Sequence, residues 1–207
     1  MLTVQLSISW GIIAVIMEAV RERKLSPMQI TPVTPDLAAK SLPVIADAFA
    51  NAAHSDGHEA DLVTALRHSS DYRPEYDAVA VNDEEAVLGH AMLSKAAVVA
   101  DDGQRWPVYV LAPVAVTPAE QKKGLGTALV MYLETMAYGD GIRALSVLGD
   151  PAYYGRFGFV PARPFGITAP YEVADENFMV RELQEGGLTG VHGVLHYDPA
   201  FGLTPQA

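Results

Sequence analysis

From Met28 onward the chain divides into blocks in which the spacing of apolar residues changes from helical to alternating and back. Met28-Gln-Ile-Thr-Pro-Val33 reads as a short strand, and Thr34-Pro35-Asp36 supplies an N-cap, a proline at the first helical position and a first-turn acid. A helix to about Ala53 follows, with Leu37, Leu42, Ile45 and Phe49 approximating one face, and Pro43 inside it predicts a kink or a break into two turns. Residues 54–58 form a loop. Glu59 to His68, with Leu62 and Leu66 at helical spacing, predicts a second helix that ends before Ser69-Ser70-Asp71.

The period then shortens. Tyr76 to Val81 predicts a strand, Asn82 to Glu85 a polar turn, and Val87 to Val99 a longer strand rich in Val, Ala and Leu, the three together making a hairpin. Val108 to Val116 is the strongest strand signal in the chain despite its internal Pro113. A proline cannot donate a ladder hydrogen bond, so Pro113 marks a bulge or a place where a neighbouring strand has separated. After a loop at 117–124, the spacing of Leu125, Ala128, Leu129, Tyr132, Leu133 and Met136 predicts a helix to Tyr138, closed by Gly139. Arg143 to Leu148 is a strand, Pro151 to Phe157 a short helix, and Phe178 to Leu183 and Gly193 to Tyr197 are late strands. The order βααβββαβαββ implies a mixed α/β fold, a sheet covered by helices.

At 207 residues the chain fits one medium domain. A formal net charge of −11 disfavours a nucleic-acid backbone as partner and tilts the choice of substrate toward small cations or amines. The absence of cysteine excludes disulfides, thiolate metal sites and a cysteine nucleophile, and is compatible with a reducing cytoplasm.

Residues 1–27 stand apart: Leu2 to Val20 is largely apolar and is followed by Arg21, Glu22, Arg23 and Lys24. A spanning helix is a marginal reading, because Gln5, two serines and Glu18 interrupt the run. A signal peptide would carry its charge before the apolar stretch and would end in a small-residue cleavage site. The favoured readings are an added helix packing on the domain or on a homodimer partner, or an upstream start with Met28 the original beginning.

The chemistry concentrates between strand 108–116 and the helix beginning at Leu125. A glycine-containing loop that opens a helix makes an anion site, since the first helical N–H groups lack partners and the helix dipole favours negative charge. Gly124 and Gly126 clear Cβ atoms from a pyrophosphate's approach, Ala128 lets the helix lie near the sheet, and Lys122 and Lys123 add positive charge. There is no Gly-x4-Gly-Lys-Ser/Thr, and Leu129 occupies the place of a third dinucleotide-fingerprint glycine, which argues against ATP and NAD. Thr117-Pro-Ala-Glu120 also reads as a capping box that opens the helix early.

Val114-Ala-Val116-Thr-Pro-Ala-Glu-Gln-Lys-Lys-Gly-Leu-Gly126 resembles the signature of the GCN5-related N-acetyltransferases (GNAT), in which strand, turn and Gln/Arg-x-x-Gly-x-Gly/Ala follow without a gap. Gly149-Asp-Pro-Ala-Tyr-Tyr-Gly-Arg-Phe-Gly-Phe159 resembles the superfamily's later Tyr-x-x-x-Gly-Phe helix, with Tyr154 on the tyrosine. With Asn177 to Leu183 and His196 to Phe201, the likeness is to the YhbS-like branch, over about Met28 to Phe201. It implies the GNAT fold, a mixed, mostly antiparallel sheet splayed between its fourth and fifth strands and flanked by helices. The implied domain is 28–207, with 1–27 as an extension.

The resemblance further implies an acetyl-CoA-dependent N-acetyltransferase, acting on a primary amine by direct attack on the thioester, without a metal. Pantetheine would pair with the exposed edge of Val114, Ala115 and Val116. The pyrophosphate would rest on the loop of Gln121, Lys122, Lys123, Gly124, Leu125, Gly126 and Thr127. A backbone N–H at Val116 or its neighbours would stabilise the oxyanion, and Tyr154 would protonate the leaving thiolate. Tyr154 also reads as an ordinary core tyrosine beside Phe157 and Phe159, although Tyr153 is the better core candidate. No base is assigned, because residues 106–116 contain no acid; His90, Glu172, Asp175 and Glu176 are the nearest candidates, each equally readable as a satisfied or solvated residue. The competing reading is a non-catalytic acyl-CoA-binding or interaction module on the same fold.

Overall fold

The computed structural model describes residues 28–50 and 57–203. The expected extension at 1–27, the last turn of the first predicted helix and most of the loop after it lie outside the described residues. Among the described residues nine strands form one sheet: β1 (Gln29–Pro32), β2 (Asp77–Val81), β3 (Val87–Val99), β4 (Arg105–Val116), β5 (Ala144–Leu148), β6 (Val160–Pro161), β7 (Ile167–Thr168), β8 (Phe178–Glu182) and β9 (Gly193–His196). Their order is β1-β2-β3-β4-β5-β8-β6, with β9 pairing β3 and β7. All pairs are antiparallel except β4 with β5 and β7 with β9. Helices α1 (Pro35–Phe49), α2 (Glu59–Arg67), α3 (Leu125–Gly139) and the short α4 (Pro151–Tyr154) complete the frame. Among the described residues no helix is long and apolar enough to cross a membrane.

Strand alternation sorts the core into two faces. Ala78, Ala80, Ala91 and Leu93 pack beneath α3 with Leu125, Leu129 and Leu133, whereas Val79, Val81 and Val87 meet Val44 of α1. The small alanines let α3 lie close to the sheet. Gly89 has the same effect, because a Cβ there would approach Leu129 Cδ1 to 3.0 Å. Ala128, expected to supply that close approach, faces solvent instead.

Several boundaries differ from expectation for identifiable reasons. Helix α1 runs unbroken through Pro43, although that residue has no N–H to offer the Ala39 carbonyl one turn back. Helix α3 ends at Gly139, and the glycine that adopts the left-handed conformation after it is Gly141, φ 75°. Strands β6 and β7 were not expected: two residues carry no periodicity to read.

A buried polar bracket ties α1 and α2 to the sheet. Asp77 on β2 accepts from Arg67 Nε at 2.8 Å and from the Tyr72 hydroxyl at 2.9 Å, and lies 2.8 Å from His90 Nε2. His90 and Asp77 are wholly buried. Burial lowers the His90 pKa against the opposing pull of Asp77. Burial would raise Asp77, but the hydrogen bonds from His90 and Arg67 outweigh it and hold the carboxyl below its usual range. His90 is therefore wholly buried with its Nε2 held on Asp77 and does not line the cleft described below, which removes it as a base for the reaction.

Candidate functional site

Strands β4 and β5 run side by side but pair only at Tyr109–Leu145 and Val110–Ser146. Beyond Val110, β4 continues to Val116 with β3 as its ladder partner, and the sheet splits. The split coincides with a bulge: Ala112 and Pro113 together stand opposite Met92, between the pairs Ala91–Val114 and Leu93–Leu111. Both readings of Pro113, the bulge and the parted strand, meet at this position.

The ladder fixes which groups face the gap. Thr117 N–H donates to the Leu88 carbonyl at 2.9 Å, so Leu88 and Thr117 form a hydrogen-bonded pair. Antiparallel pairs alternate, which makes His90–Ala115 hydrogen-bonded and turns the backbone N–H and C=O of Val114 and Val116 away from β3, toward the opening. Gln121 Nε2 donates to the Val116 carbonyl at 3.1 Å, in keeping with that direction. Ala115 turns its backbone N–H and C=O toward His90 of β3, so it contributes no edge group to the gap, and its side chain is buried in the core below α1 and α2.

At the mouth of the split lies the loop that opens α3. Lys122 has φ 62° and Gly124 φ 91°, two left-handed residues that fold successive N–H groups into a concave nest. Gly124 is the N-cap residue, and no side chain caps the first turn. Helix α3 therefore presents unpaired N–H groups and the positive end of its dipole to the cleft. Of the loop residues, Gln121, Lys122, Gly124, Gly126 and Thr127 line the cleft. The Leu125 side chain turns into the core, and Lys123 reaches outward to Glu120 at 3.1 Å, so these two can serve an anion only through their backbone.

The opposite wall is α4 and its 3-10 continuation. Asp150 caps α4 by accepting from Ala152 N–H at 2.8 Å, and Tyr153, Tyr154 and Arg156 face the same cleft, about 720 Å³ in volume. Val114, Val116 and Tyr154 all line this space. The Tyr154 ring packs edge-on against Phe159 at 5.8 Å and against Tyr153 at 5.0 Å, and burial, with Tyr153 close by, raises its pKa. Tyr153 is not simply a core residue: its hydroxyl lies over Gly126, where an added Cβ would come within 2.8 Å, and stands near the Thr127 side chain. Burial raises the Tyr153 pKa as well, against the nearby Thr127 and the charge of Arg156. Tyr153 and Arg156 were missed as cleft residues because two adjacent tyrosines on a one-turn helix give no facing pattern.

Of the remaining acids, Glu172 and Asp175 line a second cavity of about 610 Å³ together with Arg163, Ile167, Tyr171 and Phe178. Phe178 on its wall pairs with Leu148, the last residue of β5. Gly149, just after β5, exchanges hydrogen bonds with Asn177, at the end of the 169–177 loop. Asp175 pairs with Arg163 at 3.1 Å. Glu176 does not line the cavity. Among the described residues no group of three or more His, Asp or Glu side chains is placed to hold a metal ion.

Residues 45–159 match the acetyltransferase (GNAT) family. The chain is 32% identical over 155 residues to the uncharacterized N-acetyltransferase YhbS of Escherichia coli strain K12, covering 75% of this chain and 90% of that protein. The structure of E. coli YhbS in complex with CoA superposes with a TM-score of 0.76 at 27% identity, over 86% of this chain and 96% of that one. A GNAT family acetyltransferase from Brucella melitensis in complex with acetyl-CoA gives 0.66 at 29% identity, over 85% and 99%. The chain therefore belongs to the GNAT acetyltransferase family.

Proposed function

We propose that the 720 Å³ cleft holds acetyl-CoA and that the protein transfers its acetyl group to a primary amine by direct attack on the thioester. One observation carries this reading. The free edge at Val114 and Val116, the positive nest at Lys122–Thr127 and the Tyr154 ring converge on a single space of a size to take the donor's pantetheine and phosphates. Gly124 and Gly126 fit a pyrophosphate there, with the αL residues Lys122 and Gly124 turning N–H groups inward and no side-chain cap on the N-cap residue of the helix.

With the pyrophosphate on the loop, pantetheine runs along β4 from Val116 toward the bulge, which leaves the thioester nearest Val114. The Val114 N–H then points at the carbonyl oxygen and is the stabiliser of the developing oxyanion, in preference to Val116, which lies closer to the phosphates. The amine nitrogen bonds to the carbonyl carbon as the C–S bond breaks. Tyr154 donates its proton to the departing sulfur, and the ammonium formed on the new amide nitrogen returns one to the phenol through solvent, so the net transfer is from nitrogen to sulfur. Burial supports this role by keeping Tyr154 protonated.

The acceptor enters from the side of the 610 Å³ cavity, where Glu172 has no cationic partner among the described residues and favours a cationic amine. Residues 28–207 form the catalytic unit, acting in the cytoplasm, with 1–27 as an extension. The test is calorimetry with acetyl-CoA followed by thiol release with a panel of amines. A chain without cysteine contributes no background to a thiol reagent. Binding with acceptor-dependent release supports the transferase. Binding without release for any amine would leave an acyl-CoA-binding module instead.

A further inference from the structure

Among the described residues Arg67, Arg73, Arg163 and Arg181 each hold a carboxylate. Arg105, Arg143 and Arg156 hold none, and of these three Arg156 is the one that lines the cleft at the start of α3. Its guanidinium stacks 4.5 Å above the Tyr153 ring centroid and lies 5.8 Å from that of Phe157, and its Nε donates to the Tyr153 carbonyl at 3.2 Å. The remaining guanidinium N–H groups are left to the cleft that Arg156 lines. Tyr153, on which it rests, is itself seated against Gly126 and Thr127 of the nest.

The other charges around this cleft are Lys122, Asp150 and Glu120. Glu120 is engaged by Lys123, and one Asp150 oxygen is engaged as the cap of α4. The wall facing the nest therefore carries a positioned, unpaired guanidinium whose planar fork matches a phosphate, while the nest offers backbone N–H groups from the other side.

Building on the acetyl-CoA reading above, we propose that Arg156 is a phosphate ligand of the donor, closing the phosphate site from the tyrosine wall. The consequence is donor selection. Thioesters on the phosphorylated nucleotide of coenzyme A are favoured over thioesters on bare pantetheine, which can use the β4 edge but offers Arg156 nothing to bind. Stacking on Tyr153 lowers the ordering cost, because the guanidinium is already held in one plane.

The experiment compares the parent with Arg156→Gln and Arg156→Lys, using acetyl-CoA, 3′-dephospho-acetyl-CoA and S-acetylpantetheine as donors at low ionic strength. The expected result is a rise in the acetyl-CoA Kd of roughly tenfold or more for Arg156→Gln, with a smaller rise for Arg156→Lys and an unchanged kcat/KM for S-acetylpantetheine. A loss shared by acetyl-CoA and its dephospho form supports the proposal with the pyrophosphate as the contact. A loss confined to acetyl-CoA supports it with the 3′-phosphate. A parental acetyl-CoA Kd in Arg156→Gln overturns it, as does an equal loss with S-acetylpantetheine, which would mean that the arginine only props Tyr153. A parent that binds no acetyl-CoA would overturn both this proposal and the reading it rests on.

Discussion

The Tyr154 ring lies directly on the backbone of Gly149: a Cβ built on Gly149 would collide with Cε2 and Cδ2 of the ring. Gly149 follows β5 and is fixed by Asn177, whose backbone carbonyl accepts from the Gly149 N–H at 2.9 Å and whose side chain donates to the Gly149 carbonyl. The glycine cannot retreat, so the ring must. Gly149→Ala is expected to push Tyr154 into the cleft and lower kcat by roughly tenfold or more, since about 1 Å of misplacement can cost more than that in a reacting geometry. Affinity for acetyl-CoA phosphates, which the loop at 121–127 and Arg156 hold without the Tyr154 ring, should change little. Steady-state kinetics beside calorimetry separates the two, and an unchanged kcat would show that the ring position has no bearing on turnover.

Gly124 has open space where its Cβ would stand, so steric crowding is not the reason for glycine there; φ 91° is. Gly124→Ala is expected to cost about 1 kcal/mol of stability from the left-handed backbone and to retain most binding. Gly124→Asp adds a negative charge at the positive end of α3 and should weaken acetyl-CoA binding by well over tenfold, roughly the effect of losing a charge-assisted contact and gaining a repulsive one. Titration of both variants against the parent decides the assignment, because equal affinities for alanine and aspartate would place the phosphates elsewhere.

The parts of the site that sequence revealed are those encoded within a few consecutive residues. The loop at 121–127 shows its glycines and lysines in order, and Pro113 announces its bulge because a missing N–H is legible in one letter. What escaped depends on segments far apart in the chain. Asp77 and His90 are 13 residues apart, and Arg67 reaches Asp77 from another element, so a buried bracket could not be read from either strand alone. Ala128 was read as the close-packing residue of α3 from its size, whereas Gly89 on a different strand sets that distance. The pairing of Tyr153 with the loop likewise exists only after α4 has folded against α3.

The Asp77 bracket sets an acid limit on stability. His90 has its pKa lowered by burial, so the unfolded chain takes up a proton that the folded one refuses, and stability present above about pH 6.5 is lost as pH falls below it. Asp77, also lowered, adds a loss of the same sign below about pH 4, where the unfolded carboxyl protonates. Ser41, Tyr72 and Arg67 complete the surroundings, and Arg67 favours a neutral His90. The parent's Tm is expected to drop between pH 7 and pH 5. His90→Gln, which can still donate to Asp77, should have a lower Tm at pH 7 and a flatter profile over the same interval. Parallel profiles for the two proteins would remove His90 as the source of the acid sensitivity.

The role of Tyr154 is the sharpest point of the mechanism, and Tyr154→Phe tests it without disturbing the ring contacts with Tyr153 and Phe159. Removing a general acid typically lowers rate by roughly 10²–10⁴-fold, whereas removing a structural hydroxyl costs about 1 kcal/mol of stability and little turnover. The expected outcome is a kcat reduced by at least roughly 10²-fold with acetyl-CoA affinity unchanged, because the hydroxyl acts on sulfur only as the C–S bond breaks. Burial gives a second signature. A phenol whose pKa is raised above its ordinary value remains a donor further into alkali, so in the parent any fall in kcat that belongs to Tyr154 must begin above about pH 10. A Tyr154→Phe enzyme with the parent's kcat would return the residue to the core it packs against and leave the proton on sulfur to solvent.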